Sequence, residues 1–334
     1  MARATYLEAI RQAQMEEMQR DSRVFIMGED IICNVFGTTT GFVDMFGAER
    51  VLDTPISENG FIGASAGAAM VGARPIVDVT ISSFLYPAMD QIISIIAKSR
   101  YIYGGQARLP LVIRCCLFYG NSNAAQHSDR PYSMFMNVPG LKIIVPSDPV
   151  DMKGMLKVAI RDDDPVLCFE DSTCWSSKAD LPTDPDFLIP LGKGDVKREG
   201  TDVSVIAVAG AVPLALKAAQ KLAGLGISAE IIDPRSLVPL DRDLILKSVR
   251  KTGRAITVDP AHQTCSAASE ISAMIAEFAF DALRGPVLRV ATADTHLPFS
   301  PAIEKSLYPS VDRIVTAACR LVGVEHFDSA QGTV

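Results

Sequence analysis

Residues 75–115 read PIVDVTISSFLYPAMDQIISIIAKSRYIYGGQARLPLVIRC, and this stretch decides the fold. PIVDVTI and LPLVIRC are short runs rich in β-branched residues, as buried strands are. MDQIISIIAKSRY between them carries apolar residues at helical spacing. A strand, a helix and a second strand make a crossover unit, and such a unit belongs to a parallel sheet covered by helices.

The same alternation extends in both directions. VFIMGED (24–30), LKIIVP (141–146) and PVLCFE (165–170) read as further strands, while the segment after Glu58 and PVDMKGMLKVAIRD (149–162) read as helices. The stretch SKADLPTDPDFLIPLGKGDVKREG then breaks the rhythm with three prolines and mixed charge, and it reads as an extended linker. Beyond it the pattern restarts with TDVSVIAVAG, AVPLALKAAQKLAGLG, ISAEIIDP and DRDLILKSVRKTG, followed by AITVDP, ASEISAMIAEFAFDAL and PVLRVAT. The expectation is an α/β protein of two domains, residues 1–185 and 186–334, each a mainly parallel sheet flanked by helices. A chain of 334 residues with 48% hydrophobic content is long enough to build two such cores.

Charge and cysteine usage narrow the function. A formal net charge of -7 argues against nucleic-acid binding. Seven scattered cysteines without a CxxC pair predict reduced thiols, neither a disulfide framework nor a zinc site, and fit a cytoplasmic protein. The first residues lack an apolar signal core, and the longest uncharged run, Asn59 to Ala73, is too short to span a bilayer. No membrane role is expected. The chain has no GxxxxGK[ST], no GxGxxG after a strand and no GxSxG, so the common nucleotide and hydrolase motifs are absent.

Several residues remain as candidates for chemistry. Glu58 in TPISENG opens a helix rich in glycine and alanine (Gly60, Gly63, Ala64, Gly67). An acid there answers the helix dipole, but it could equally be a carboxylate aimed at a nitrogen heterocycle, with small neighbours allowing close approach. His127 in NAAQHSDRP is either a solvated loop residue or a general acid or base. Phe84 follows a strand end, where α/β folds place ligand-facing residues, although core packing is the commoner role. Asp162, Asp163 and Asp164 close a helix at the end that disfavours negative charge. Solvation could tolerate them, and so could a hard cation held by carbonyls and carboxylates.

Taken together, GED (28–30), DTPISENGFIG (53–63), GARP (72–75), AMDQI (88–92), LPLVIR (109–114), AAQHS (124–128), PGLKIIVPSDPVDMKG (139–154) and AIRDDDPV (159–166) form an ordered set of landmarks. GTDVSVIA, AEIIDPRSLVPLD and KTGRAITVD continue it through the second half. The chain resembles the beta subunit of the thiamine-diphosphate-dependent decarboxylase component of 2-oxo acid dehydrogenase complexes, a transketolase-like family serving pyruvate, branched-chain 2-oxo acids and acetoin.

The resemblance implies a transketolase-like pyrimidine-binding domain followed by a transketolase C-terminal-like domain. It implies that Glu58 hydrogen-bonds N1′ of the thiamine aminopyrimidine, so that proton exchange there primes the 4′-amino group to deprotonate the thiazolium. Phe84 is implied to pack on the pyrimidine, Ile56 and Thr80 to line the same pocket, and His127 to stabilise or protonate intermediates. Leu111, Ala159, Ile160, Asp162 and Asp164 fall where the family holds a structural potassium ion. The chain has GDV at 194–196 and no GDG, the motif through which such enzymes hold magnesium and the diphosphate. That half of the site is therefore expected from an alpha subunit, in a two-alpha, two-beta heterotetramer, with a lipoyl transacylase as acyl acceptor.

The sequence departs from the family at CCLFYGNSN (115–123), where a glycine-rich turn is usual, at Asp129, and in IICNVFGTT after GED. Phe118, Tyr119 and Asp129 are expected near the substrate. The altered loops leave two rivals open: a carboligase using the same cofactor with another acceptor, and a catalytically degenerate scaffold subunit.

Overall fold

The computed structural model describes residues 3–324; residues 325–334, with His326 and the end of the expected second domain, lie outside the described residues. The chain divides into two compact units, residues 1–192 with 236–239, and residues 193–235 with 240–334.

The first unit is built on a seven-stranded sheet. Its strands run, in spatial order, Ser236–Val238, Lys142–Ile144, Val166–Asp171, Val112–Leu117, Arg74–Ile81, Val24–Gly28 and Val51–Asp53. All neighbours are parallel except the edge strand Ser236–Val238, which is antiparallel to Lys142–Ile144. The central strands are buried along nearly their whole length, as parallel strands covered on both faces must be.

One face is covered by the helices Tyr6–Arg20 and Pro149–Arg161. Ala9, Ile10 and Ala13 of the first and Met152, Met155 and Ala159 of the second join Ile26, Ile76, Val112 and Val166 in one core. Small residues let the two helices approach closely, and charge fixes their register. Glu17 is fully buried and paired with Arg161 at 2.8 Å, while Lys153 and Lys157 reach Glu16 at 2.7 and 2.6 Å. Buried charges of this kind hold only because each has its partner.

The second unit carries a five-stranded sheet in the order Leu288–Thr292, Ala255–His262, Val203–Ala207, Ala229–Asp233 and Asp195–Arg198. The last strand is antiparallel to its neighbour and the others are parallel. Part of the segment read as a linker is thus a strand: Asp195–Arg198 lies on the sheet edge, where a charged sequence is tolerated. The alanine-rich face of Ala211–Gly224 and the Ile314, Val315, Ala318 and Cys319 face of Val311–Val322 pack in its core. Among the described residues no helix is long and apolar enough to cross a membrane.

Candidate active site

The first unit places Glu58, Phe84 and His127 beyond the carboxyl ends of its strands Val51–Asp53, Arg74–Ile81 and Val112–Leu117, the usual ligand-binding edge of such sheets, whereas Leu111, Asp162 and Asp164 precede strands at the other end. Gly28 of GED is required by crowding. Its φ is +157°, and a Cβ there would lie 2.1 Å from the Asp78 carbonyl of the adjacent strand. The two strands can approach only without a side chain at that position.

Asp78 is the hinge of a buried charge network beneath the site. Arg114, 2% exposed, donates twice to Glu170 (2.6 and 3.1 Å), once to Asp78 (2.8 Å) and once to Gln14 (2.9 Å). Burial opposes the Arg114 charge, but the carboxylates of Glu170 and Asp78 outweigh it and raise its pKa. The other Asp78 oxygen accepts from the Thr80 amide at 2.9 Å. This contact steadies Thr80 at φ +63°, a conformation that a β-branched residue adopts only under constraint.

Strain is concentrated here. Of the eight described non-glycine residues with positive φ, five (Asp30, Asn34, Thr80, Ser122 and Ala124) lie at or beyond these strand ends. Such conformations cost about 1–3 kcal/mol each and cluster at functional sites.

Glu58 is the first residue of the helix Glu58–Met70 and is 9% exposed. The preceding Ser57 makes no side-chain capping bond, and no group among the described residues donates to the Glu58 carboxylate. The small residues behind it serve packing on one side and leave the other open. A Cβ at Gly63 would meet the Gln91 Oε1 at 3.0 Å, whereas nothing lies within 4 Å of one at Gly67.

Phe84 sits in the tight 3₁₀ segment Ser82–Ala88 after the strand Arg74–Ile81, and His127 ends the short helix Ala124–His127. Their rings meet edge to face, with centroids 5.5 Å apart at 83°. Among the described residues the buried Nδ1 of His127 has no hydrogen-bond partner, nor has the buried Oγ of Ser83. Unpaired polar atoms at such depth are costly unless a ligand or water completes them.

The remaining candidates divide. Ile56 is 84% exposed on the approach to Glu58. Phe118 packs with Phe36 and Trp175 in an aromatic cluster, at centroid distances of 6.0 and 5.8 Å. Tyr119 is turned inward. It is buried, its hydroxyl donates to Asp171 at 2.9 Å, and Arg130 stacks over its ring at 5.0 Å, so it buttresses the loop and offers no free polar group. Asp129 accepts from Tyr86 and Ser82.

Sequence reasoning missed Glu29. Its Oε1 is buried without a partner among the described residues, and burial, then the nearby charges of Glu58 and Asp30, raise its pKa. With Asp30, Phe36, Asp78 and Thr80 it lines a small cavity of about 20 Å³. The signal was present in GED, but a strand-end carboxylate is too common to be singled out without its neighbour.

At the end of the helix Pro149–Arg161 the three aspartates do not face the helix carbonyls unscreened. Lys142 donates to both Asp162 oxygens (2.7 and 2.8 Å), Arg100 pairs with Asp164, and Arg74 with Asp163 at 2.6 Å. Arg74 also donates to the Ile160 and Asp162 carbonyls at 3.0 and 2.9 Å. Each carbonyl keeps a second lone pair, so the chemistry left for a cation there is that of backbone oxygens. Among the described residues no cluster of three or more His, Cys, Asp or Glu could hold a metal. In the GDV stretch, Asp195 begins an edge strand and pairs with Lys197 at 3.0 Å.

Comparison with known proteins agrees with this architecture. The family model of the transketolase pyrimidine-binding domain matches residues 2–173, and that of the transketolase C-terminal domain matches residues 192–314. The chain is 44% identical over 330 residues to the acetoin:2,6-dichlorophenolindophenol oxidoreductase subunit beta of Bacillus subtilis (strain 168), covering 95% of this chain and 96% of that one. It is 42% identical to the 2-oxoisovalerate dehydrogenase subunit beta of the same organism, over 95% and 98% of the two chains. Identity to the pyruvate dehydrogenase E1 component subunit beta of Rhizobium meliloti (strain 1021) is 39%, over 95% and 69%. A solved split-gene transketolase, described as an inactive beta4 tetramer, superposes with a TM-score of 0.78 over 97% of this chain and 100% of that one. At 23% identity that likeness speaks to the fold alone. The chain belongs to the transketolase-like family of 2-oxo acid and acetoin dehydrogenase beta subunits.

Proposed function

We propose that this chain is the beta subunit of a thiamine-diphosphate-dependent 2-oxo acid or acetoin dehydrogenase, active with an alpha subunit and passing an acyl group to a lipoyl domain. The observation that carries the reading is Glu58: a buried carboxylate, unpartnered among the described residues, at a strand-end site shared with an aromatic–imidazole pair.

Thiamine diphosphate, when bound, supplies the electron sink for carbon–carbon cleavage. In this reading Glu58 holds and exchanges a proton at N1′ of the aminopyrimidine. Phe84 packs against the pyrimidine ring, with Thr80 and Ile56 beside it. His127 donates or accepts a proton on the substrate side, a role that suits an imidazole near neutral pH. Phe118 bounds the acyl group. Magnesium and the diphosphate fall to the alpha subunit, since no GDG motif occurs here and Asp195 is committed to Lys197. We place a potassium ion against the backbone oxygens of Leu111, Ala159, Ile160, Asp162 and Asp164. The assembly is two alpha and two beta chains in the cytoplasm.

The test is co-purification with the alpha subunit, then calorimetric titration with thiamine diphosphate and assay of acyl transfer to a lipoyl domain. Cofactor binding with lipoyl-dependent turnover supports the dehydrogenase. Carbon–carbon bond formation without a lipoyl acceptor identifies a carboligase, and absence of cofactor binding identifies a scaffold.

A further inference from the structure

The buried Nδ1 of His127 has no hydrogen-bond partner among the described residues, yet its ring meets Phe84 in a defined geometry. The orientation must come from the residues around it. Two residues beyond His127, Asp129 receives two bonds from the Phe84 segment. The Ser82 hydroxyl donates to the Asp129 carbonyl at 2.7 Å, and the Tyr86 hydroxyl donates to Asp129 Oδ2 at 2.9 Å.

Ser82 and Tyr86 flank Phe84 two residues away on either side. A single residue of one loop is thus fastened to both sides of the aromatic in the other. Burial, then the Asp129 charge, raises the pKa of Tyr86, so its hydroxyl stays a donor throughout the working range. Beyond the clasp, Arg130 donates to the Ser128 carbonyl and stacks on Tyr119, closing the loop from behind.

We propose that Asp129 is the positioning residue of His127, clasping the histidine loop to Ser82 and Tyr86 so that the imidazole stands edge to face with Phe84. Asp129 acts through this geometry and does not touch the reacting atoms.

The inference rests on the function proposed above, and its test has two arms. In the alpha–beta complex, Asp129→Ala lowers kcat on the order of tenfold or more, because slight misplacement of a catalytic group is costly. KM and thiamine diphosphate affinity stay within about twofold, as expected when only a transition-state interaction is lost. Asp129→Asn keeps the acceptor for Tyr86 and restores most of kcat. Wild-type complex without turnover defeats the proposed function, and the second arm decides the clasp regardless. In carbon–proton NMR spectra of the full chain, which has only four histidines, the His127 ring signal is identified by its loss in His127→Asn. It is displaced by the Phe84 ring in the wild type and in Asp129→Asn, and it collapses towards the free-histidine position in Asp129→Ala and Tyr86→Phe. An unmoved His127 signal in Asp129→Ala, or an Asp129→Asn enzyme as slow as Asp129→Ala, overturns the proposal.

Discussion

Phe84 and His127 come from loops after two different strands, and their rings lie 5.5 Å apart at 83°. Such a contact contributes about 0.5–1.5 kcal/mol beyond its buried area. Phe84→Ala therefore costs the proposed site twice, by removing the face on which the pyrimidine packs and by freeing the imidazole. Thiamine diphosphate affinity of the complex should fall roughly tenfold, the equivalent of about 1.4 kcal/mol. Titration calorimetry reads it.

Glu29 gives a pH dependence with a fixed sign. Its pKa is raised in the folded chain by burial and by Glu58, so the folded state binds the proton more tightly than the unfolded state. Stability contributed by the protonated form is present below the unfolded carboxylate pKa and is lost as pH rises through the folded pKa. In Glu29→Gln that loss disappears. Urea midpoints measured across the acidic range should converge with wild type at low pH and exceed it above.

Phe118, in the CCLFYGNSN turn, packs against Phe36 and Trp175. Phe118→Gly should enlarge the acyl side and shift the ratio of kcat/KM values toward branched 2-oxo acids over pyruvate by about tenfold, the scale on which apolar pockets discriminate. Competition assays with paired substrates measure the ratio directly.

Potassium should act on stability rather than on chemistry. A cation on the Ile160 and Asp162 carbonyls would share them with Arg74. Thermal midpoints in potassium chloride should exceed those in choline chloride at equal ionic strength, by the mass action of a ligand bound only to the folded state. Equal midpoints would assign the helix end to Arg74, Lys142 and Arg100 alone.

The crossover PIVDVTI to LPLVIRC was legible because two short β-branched apolar runs bracket a segment of helical spacing, and the parallel sheet followed from it. Asp195–Arg198 was not legible, since an edge strand exposed to water needs no apolar run. Nor was the membership of Ser236–Val238 in the first sheet, which depends on a pairing with residues about ninety positions earlier. In the site, Glu58, Phe84 and His127 were named from their surroundings in sequence. The inward turn of Tyr119 was hidden because Asp171 and Arg130, which fix it, are brought to it by the fold. Glu29 was hidden for the same reason: its burial, and then the charge of Glu58, are brought to it by the fold.

The central claim is that Glu58 handles a proton on the cofactor held by two different chains. Turnover of the Glu58→Gln alpha–beta complex, at saturating thiamine diphosphate, tests it most directly. The account predicts a loss of about 10²–10⁴-fold in kcat, the range of general acid–base catalysis, with cofactor still bound. Undiminished turnover in that variant would contradict it.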